Sequence, residues 1–404
     1  MKRRIVLWIL SLCLLLAGCG GIGDQTEPTV LDNGSPVLGY DAQNKYRSIV
    51  PGALAFQETE DAFCGTGFSG DTLYYYDKNA GISGVLCADP SCAHDSSECG
   101  AKLDMGGFFY AGEGQAYWIQ KGSMDIGWDR TLYKGDLFGT NREKVKVIST
   151  QDVIYEYNPQ WFVIHRDRLY LQGQKDVVEG VNTYKRVTLV SSTLDSSEKY
   201  TVLFDEKFDR AVQPFVRFVG DYIYLTLQIF PEGGPFDVRI LKIHTKTGKT
   251  ETVFEEMGMA EYIDPVWVTE QGEIYLSGVS DDCAYVWKLE NGERVEVISW
   301  KSDNPSSPSI VDGIAVFIYQ EDGVRWTEIV DLSGQTIYSG KLFPENIPGI
   351  EGNPNEFSYA EIGGDADKII LNLQSITKNG MVDYTVMLDM NNNLKATVLW
   401  SNQR

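Results

Sequence analysis

Enzyme signatures are nearly absent from these 404 residues. The sequence contains no Gly-x-Ser-x-Gly nucleophile elbow and no phosphate loop, which removes two common routes to catalysis. Histidine is scarce. Only His94, His165 and His244 occur, and the last two lie on or beside expected strands with no nucleophile matched to them, so structural roles are expected. Carboxylates are the opposite case, too numerous for any pair to stand out as acid and base.

Gly65-Thr66-Gly67-Phe68-Ser69-Gly70 spells the dinucleotide fingerprint, but that motif must open a helix whose N-terminus holds the pyrophosphate. Here it leads into a strand at Leu73, so its glycines read as turn residues. Asp389-Met390-Asn391-Asn392-Asn393 has the alternating oxygen spacing of a calcium loop, yet lacks the Gly at position six and the Glu at twelve. It reads as a hairpin turn.

Three further absences bear on architecture and partners. No window carries a capped amphipathic helix. No Pro/Ser linker or charge block interrupts residues 46–404, so these form one expected domain. Basic residues are in deficit, 35 Lys and Arg against 57 Asp and Glu, for a net charge of −22. A surface this acidic repels nucleic acid and anionic headgroups and favours solubility.

What the chain does contain is repetition. A short apolar strand follows a turn residue at Leu73, Ala116, Leu169, Ile223, Ile274, Ile314 and Ile369, at spacings of 40–55 residues. Further strands follow in most copies, such as Thr131–Lys134 then Val145–Ile148, and Tyr285–Leu289 then Val295–Ile298. The links between them (Lys246-Thr247-Gly248-Lys249, Glu290-Asn291-Gly292-Glu293) favour residues that tolerate positive φ, as hairpins require.

A fourth strand is introduced by Pro159, Pro214, Pro265 or Pro308, proline being tolerated at a strand's first residue. Four antiparallel strands repeated seven times predict an all-β fold, a seven-bladed β-propeller. The 9 Trp, 22 Tyr and 17 Phe suit wedge-shaped sheets packed face to face. An open β-sandwich with insertions is the competing architecture.

The amino terminus is separately legible. Lys2-Arg3-Arg4 precedes an apolar run from Ile5 to Ala17, too short to span a bilayer but suited to an export signal. It ends in Leu16-Ala17-Gly18-Cys19, which resembles the lipobox of bacterial lipoproteins. The resemblance implies cleavage after residue 18 and a lipidated Cys19, with acyl chains that anchor the protein stably when two or more are present. An ordinary signal peptide with an incidental cysteine is the alternative. Loss of Lys2, Arg3 and Arg4 would take the net charge from −22 to −25. Residues 19–45 then read as a flexible tether.

One segment breaks the repeat. Cys87-Ala88-Asp89-Pro90-Ser91-Cys92-Ala93-His94-Asp95-Ser96-Ser97-Glu98-Cys99 falls where the first repeat should make its outer strand, and so replaces or decorates it. Cys87, Cys92, His94 and Cys99 would give three thiolates and one imidazole, a tetrahedral set that suits structural zinc. Disulfides are equally open, since export permits oxidation. Cys64, in the preceding strand, would complete four thiols with three possible connectivities, leaving Cys283 free and buried. Unreacted thiols are the third reading.

The same Leu-Cys-x4-Cys-x-His-Asp-x3-Cys pattern resembles a segment of predicted lipoproteins of unknown function from anaerobic Gram-positive bacteria, which share the lipobox, tether and Tyr-rich repeats. The resemblance implies a surface-anchored propeller and supplies no catalytic residue. An anaerobic habitat would also weigh against oxidised pairs.

The expectation is therefore a monomeric, lipid-anchored extracytoplasmic binding module for a protein, peptide or glycan, with no nucleic-acid partner. A polysaccharide-acting enzyme with carboxylates and aromatics at the channel mouth is the second possibility. A metal-binding surface protein is the third.

Overall fold

In the computed structural model, the described residues run from 56 to 403 apart from short connecting stretches, the longest being 122–129, 149–161 and 351–357. The export segment, Cys19 and the tether lie outside them, as do Gly67–Gly70, Pro159 and Pro265. Seven separate antiparallel sheets follow one another along the chain, each a meander of sequential strands. They are blades 1 (56–85), 2 (109–148), 3 (162–208), 4 (211–259), 5 (262–301), 6 (309–341) and 7 (358–403). The fold is a seven-bladed β-propeller, as the repeat predicts. Blade 5 departs slightly, because its innermost strand is broken into Tyr262–Ile263 and Trp267–Val268, both paired with Ile274–Val279.

Strand position in the blade decides what each sequence can be. Tyr222–Phe230 is buried along almost its whole length, because both of its faces meet a neighbouring blade, and so it reads as a continuous apolar run. The outermost strand Thr250–Met259 is largely exposed and carries three glutamates. In blades 2–7 the pairing of third and fourth strands slips at a corresponding place, for instance between Ile240 and Leu241 and between Val286 and Trp287, and blade 4 slips a second time between Phe236 and Val238. A bulge recurring at this place adds twist to the outer edge of these six blades.

Two expectations need correction. Pro214 does not begin its strand. It sits inside Ala211–Val219, opposite Leu227, where an innermost edge strand offers a position whose missing N–H costs no ladder bond. The first repeat is also displaced by one strand. Its Tyr-rich strand Leu73–Asp77 is third in the blade rather than second, after Phe56–Glu58 and Ala62–Thr66.

Among the described residues, blades 1 and 7 are each formed from four strands consecutive in sequence, and no strand is exchanged between them. Side chains close the ring instead. Phe56, Phe63 and Tyr74 of blade 1 pack with Ile370, Leu399 and Trp400 of blade 7. Trp400 stacks on Phe56 at 5.8 Å and on Tyr74 at 6.1 Å between ring centroids.

Candidate metal centre

The outer strand of blade 1, Ile82–Val85, is present but interrupted. It pairs with Leu73–Asp77, and the Leu86 N–H donates to the Leu73 carbonyl at 2.9 Å. The chain then leaves the sheet and returns at Ala101, whose carbonyl accepts from the Leu73 N–H at 2.9 Å. Thr72 and Lys102 continue the antiparallel pairing, and the Lys102 ammonium donates to the Thr72 hydroxyl at 2.7 Å. Residues 87–99 are therefore an excursion inserted into the outer strand, its two ends pinned on one residue. The loop decorates that strand and does not replace it.

The excursion is built from short turns. The Asp89 carboxylate accepts from the Ser91 N–H at 2.8 Å and from its hydroxyl at 2.6 Å. These bonds hold its pKa below the usual carboxylate value and form the Asx-turn expected of such a residue. The N–H groups of Cys92 and Cys99 donate to the carbonyls of Asp89 and Ser96. His94 sits in the left-handed region at φ 57°, an uncommon conformation for a residue with a side chain.

Together these turns bring four donors to one point. The Sγ atoms of Cys87, Cys92 and Cys99 and a ring nitrogen of His94 all lie within 4.8 Å of one another. His94 Nδ1 is 3.4 Å from Cys99 Sγ, and the His94 N–H donates to Cys92 Sγ at 3.4 Å. None of the described cysteines is bridged. Cys64 lies in the apolar cluster under the loop and is fully buried, outside the four-donor group. Burial pushes its thiol up to about 12, against a small opposing pull from Lys78, which makes it a neutral core residue. Cys283 is buried in blade 5.

The thiols perturb one another. Burial raises Cys87, but contacts with the Asp89 backbone, Cys99, Cys92 and the Gly100 backbone outweigh it, and the net shift is downward. Cys99 is pushed up to about 11, by burial first and by Cys92 and Cys87, against the Ala101 backbone. One thiolate in the cluster thus opposes the next, a repulsion that a cation would remove.

Beneath the loop, Leu86, Cys99 and Ala101 are buried with Leu73 and with Trp118 of blade 2, and Tyr133 packs alongside. The centre therefore sits over the seam between blades 1 and 2. Sequence spacing identifies the four donors, but not their supports. Leu73, Ala101 and Trp118 carry no motif.

The other two histidines are satisfied structural groups. His165 is fully buried with Nε2 2.7 Å from the Gly220 carbonyl. His244 Nδ1 accepts from the N–H groups of Lys246 and Thr247 in a hairpin turn. Asp389 likewise closes a turn by accepting from the Asn391 N–H, in keeping with the hairpin reading.

No protein-family model and no curated relative matches this chain. Solved structures of similar fold include prolyl oligopeptidase B from Galerina marginata, at a TM-score of 0.54 and 10% identity, over 91% of this chain and 52% of that one. A prolyl endopeptidase matches at 0.52 and 14%, over 90% and 51%. The acylaminoacyl peptidase of Pyrococcus horikoshii matches at 0.51 and 11%, over 90% and 54%. These likenesses establish the fold alone. This chain spans about half the length of each.

Proposed function

We propose that this protein is a lipid-anchored, extracytoplasmic lipoprotein whose propeller is a monomeric binding module for a protein, peptide or glycan. The anchor is Cys19, supported by Leu16-Ala17-Gly18-Cys19 at the end of a short apolar run.

Binding is favoured over catalysis because the sequence offers no nucleophile matched to a base. Among the described residues, the carboxyl groups of Asp89, Asp205, Asp237 and Asp331 are held below the usual carboxylate value. A glycoside-cleaving general acid needs the opposite shift. Each of the four is held by turn N–H groups, a hydroxyl or an arginine, as structural acids are. The four-donor centre is closed by side chains alone, a structural and not a catalytic arrangement.

Blade 3 offers the most prominent contact surface. Its strands Arg168–Glu179 and Asn182–Thr193 form a twelve-pair hairpin. Among the described residues its outer neighbour pairs only as far as Lys185 and its inner neighbour only along Arg168–Leu171. Val178 and Val181 on the protruding part are 71% and 98% exposed. Recognition is commonly carried by such projections from a rigid scaffold.

A panel of cell-wall and dietary glycans incubated with the detergent-solubilised protein tests this reading. Retention without product is expected for any glycan that binds. Turnover of any of them would overturn the binding-module assignment in favour of a polysaccharide-acting enzyme.

A further inference from the structure

We propose that Cys87, Cys92, Cys99 and the Nδ1 atom of His94 hold one zinc ion, and that this ion, not a disulfide, staples the outer strand of blade 1 over blade 2. The inference rests on reading residues 87–99 as a structural element, and it names the agent that orders them.

Geometry is the first argument. A tetrahedral zinc with bonds of about 2.3 Å to sulfur and about 2.05 Å to nitrogen has edges of about 3.8 Å between sulfurs and about 3.6 Å between sulfur and nitrogen. The His94 Nδ1 to Cys99 Sγ separation of 3.4 Å is close to that edge. The four donors span at most 4.8 Å, so a small inward movement closes the set on a common centre. A disulfide joins two sulfurs at about 2.05 Å and has no use for an imidazole and a third thiol at the same point. The convergence of all four is what the bridged alternative leaves without a cause.

Donor chemistry selects the metal. Three thiolates and an imidazole are soft to borderline ligands that suit zinc, while magnesium and calcium require oxygen. Asp89, between the first two cysteines, spends its carboxylate on Ser91 and is not one of the converging donors. Binding would displace three thiol protons to solvent and leave a site of net charge −1, with no change of oxidation state. The N–H of His94 on Cys92 Sγ is the outer hydrogen bond expected to orient a ligating thiolate.

Topology explains why an ion is needed. Leu73 holds both ends of the excursion, but the stretch between them is mostly Asp, Ser, Ala and Glu. Of its described residues only Cys99 is fully inside the apolar cluster of Leu73 and Trp118. So little burial cannot offset the ordering entropy of thirteen residues at about 1 kcal/mol or more each. A bound metal contributes folding free energy directly.

The test uses the full-length protein purified in detergent. Elemental analysis should find one zinc per chain. Thiol titration should find three cysteines that react only after a chelator is added. Cys92→Ser and His94→Ala should each lose the ion on a chelating resin, while Cys64→Ala should retain it. Cobalt(II) chloride added to the metal-free protein should produce a thiolate charge-transfer band. Should the variants misfold, the metal and thiol counts on the unaltered chain still decide the question. A metal-free protein two or four hydrogens lighter, with Cys64 bridged to the loop, would overturn zinc and keep the structural staple. Free reactive thiols without metal would overturn both.

Discussion

The Lys368 ammonium lies 2.9 Å from both carboxylate oxygens of Glu58, a residue 310 positions earlier in the chain. Lys78 reaches the same carboxylate at 2.6 Å, and both lysines sit over the ring of Phe63, at 5.8 and 4.6 Å. Blade 7 is thereby joined to blade 1 by charge and aromatic packing where no strand crosses. A double-mutant cycle of Glu58→Gln and Lys368→Met should give a coupling of about 0.5–1 kcal/mol, the range for partly exposed pairs. Denaturant midpoints of the four proteins supply it. Additive effects would show that the pair does not hold the seam.

Trp400 is the apolar half of the same closure. Trp400→Ala removes a side chain that is 3% exposed and stacked on two rings of blade 1. A loss of about 3–5 kcal/mol is expected. Hydrogen exchange should accelerate first in 56–77 and 395–403, with blades 3–5 protected longer. Uniform acceleration around the ring would contradict closure at this seam.

Gly364 should be irreplaceable. At φ +126° its position suits only glycine, and an added Cβ would lie 2.0 Å from the Lys368 carbonyl oxygen. Gly364→Ala should cost more than about 3 kcal/mol, since backbone and not a flexible side chain must move. Gly180→Ala, at φ +66° with nothing within 4 Å, should cost about 1–2 kcal/mol. Thermal unfolding of both variants checks the order.

Acid sensitivity should trace in part to Asp237. Its carboxylate accepts from the Gly258 N–H at 2.9 Å and from Arg210 at 2.6 Å. Those bonds, the first named being the stronger cause, hold its pKa below the usual value against the opposing effect of burial. A depressed folded-state pKa contributes stability that is present above the unfolded value of about 3.9 and lost as pH falls through the folded one. Stability of Asp237→Asn should therefore be lower at pH 7 and fall less as pH drops below about 4. Parallel curves for the two proteins would remove Asp237 from the account.

The repeat was legible because its second strands are buried on both faces. Leu169, Ile223 and Ile369 are each fully buried, and so recur as apolar residues after a turn. The inner strand Phe56–Glu58 has three residues and a glutamate, too short and polar to announce a blade, and this hid the one-strand displacement of the first repeat. Cys87, Cys92, His94 and Cys99 stood out by residue type. Their convergence depends on Ala101 returning to Leu73, a pairing between residues of no special chemistry. Ring closure by Lys368 and Glu58 left no trace in either local sequence, because each is an ordinary surface-type residue until the fold places them together.

The proposed anchoring of the propeller at a membrane surface through Cys19 is tested most directly by detergent phase partition of cells expressing the full chain. The unaltered protein should enter the detergent phase, with a mature N-terminus at Cys19 heavier by a diacylglycerol and its acyl chains. Cys19→Ser should remain in the aqueous phase and unmodified. Complete membrane retention of the Cys19→Ser protein, or an unmodified Cys19 in the native one, would contradict the account.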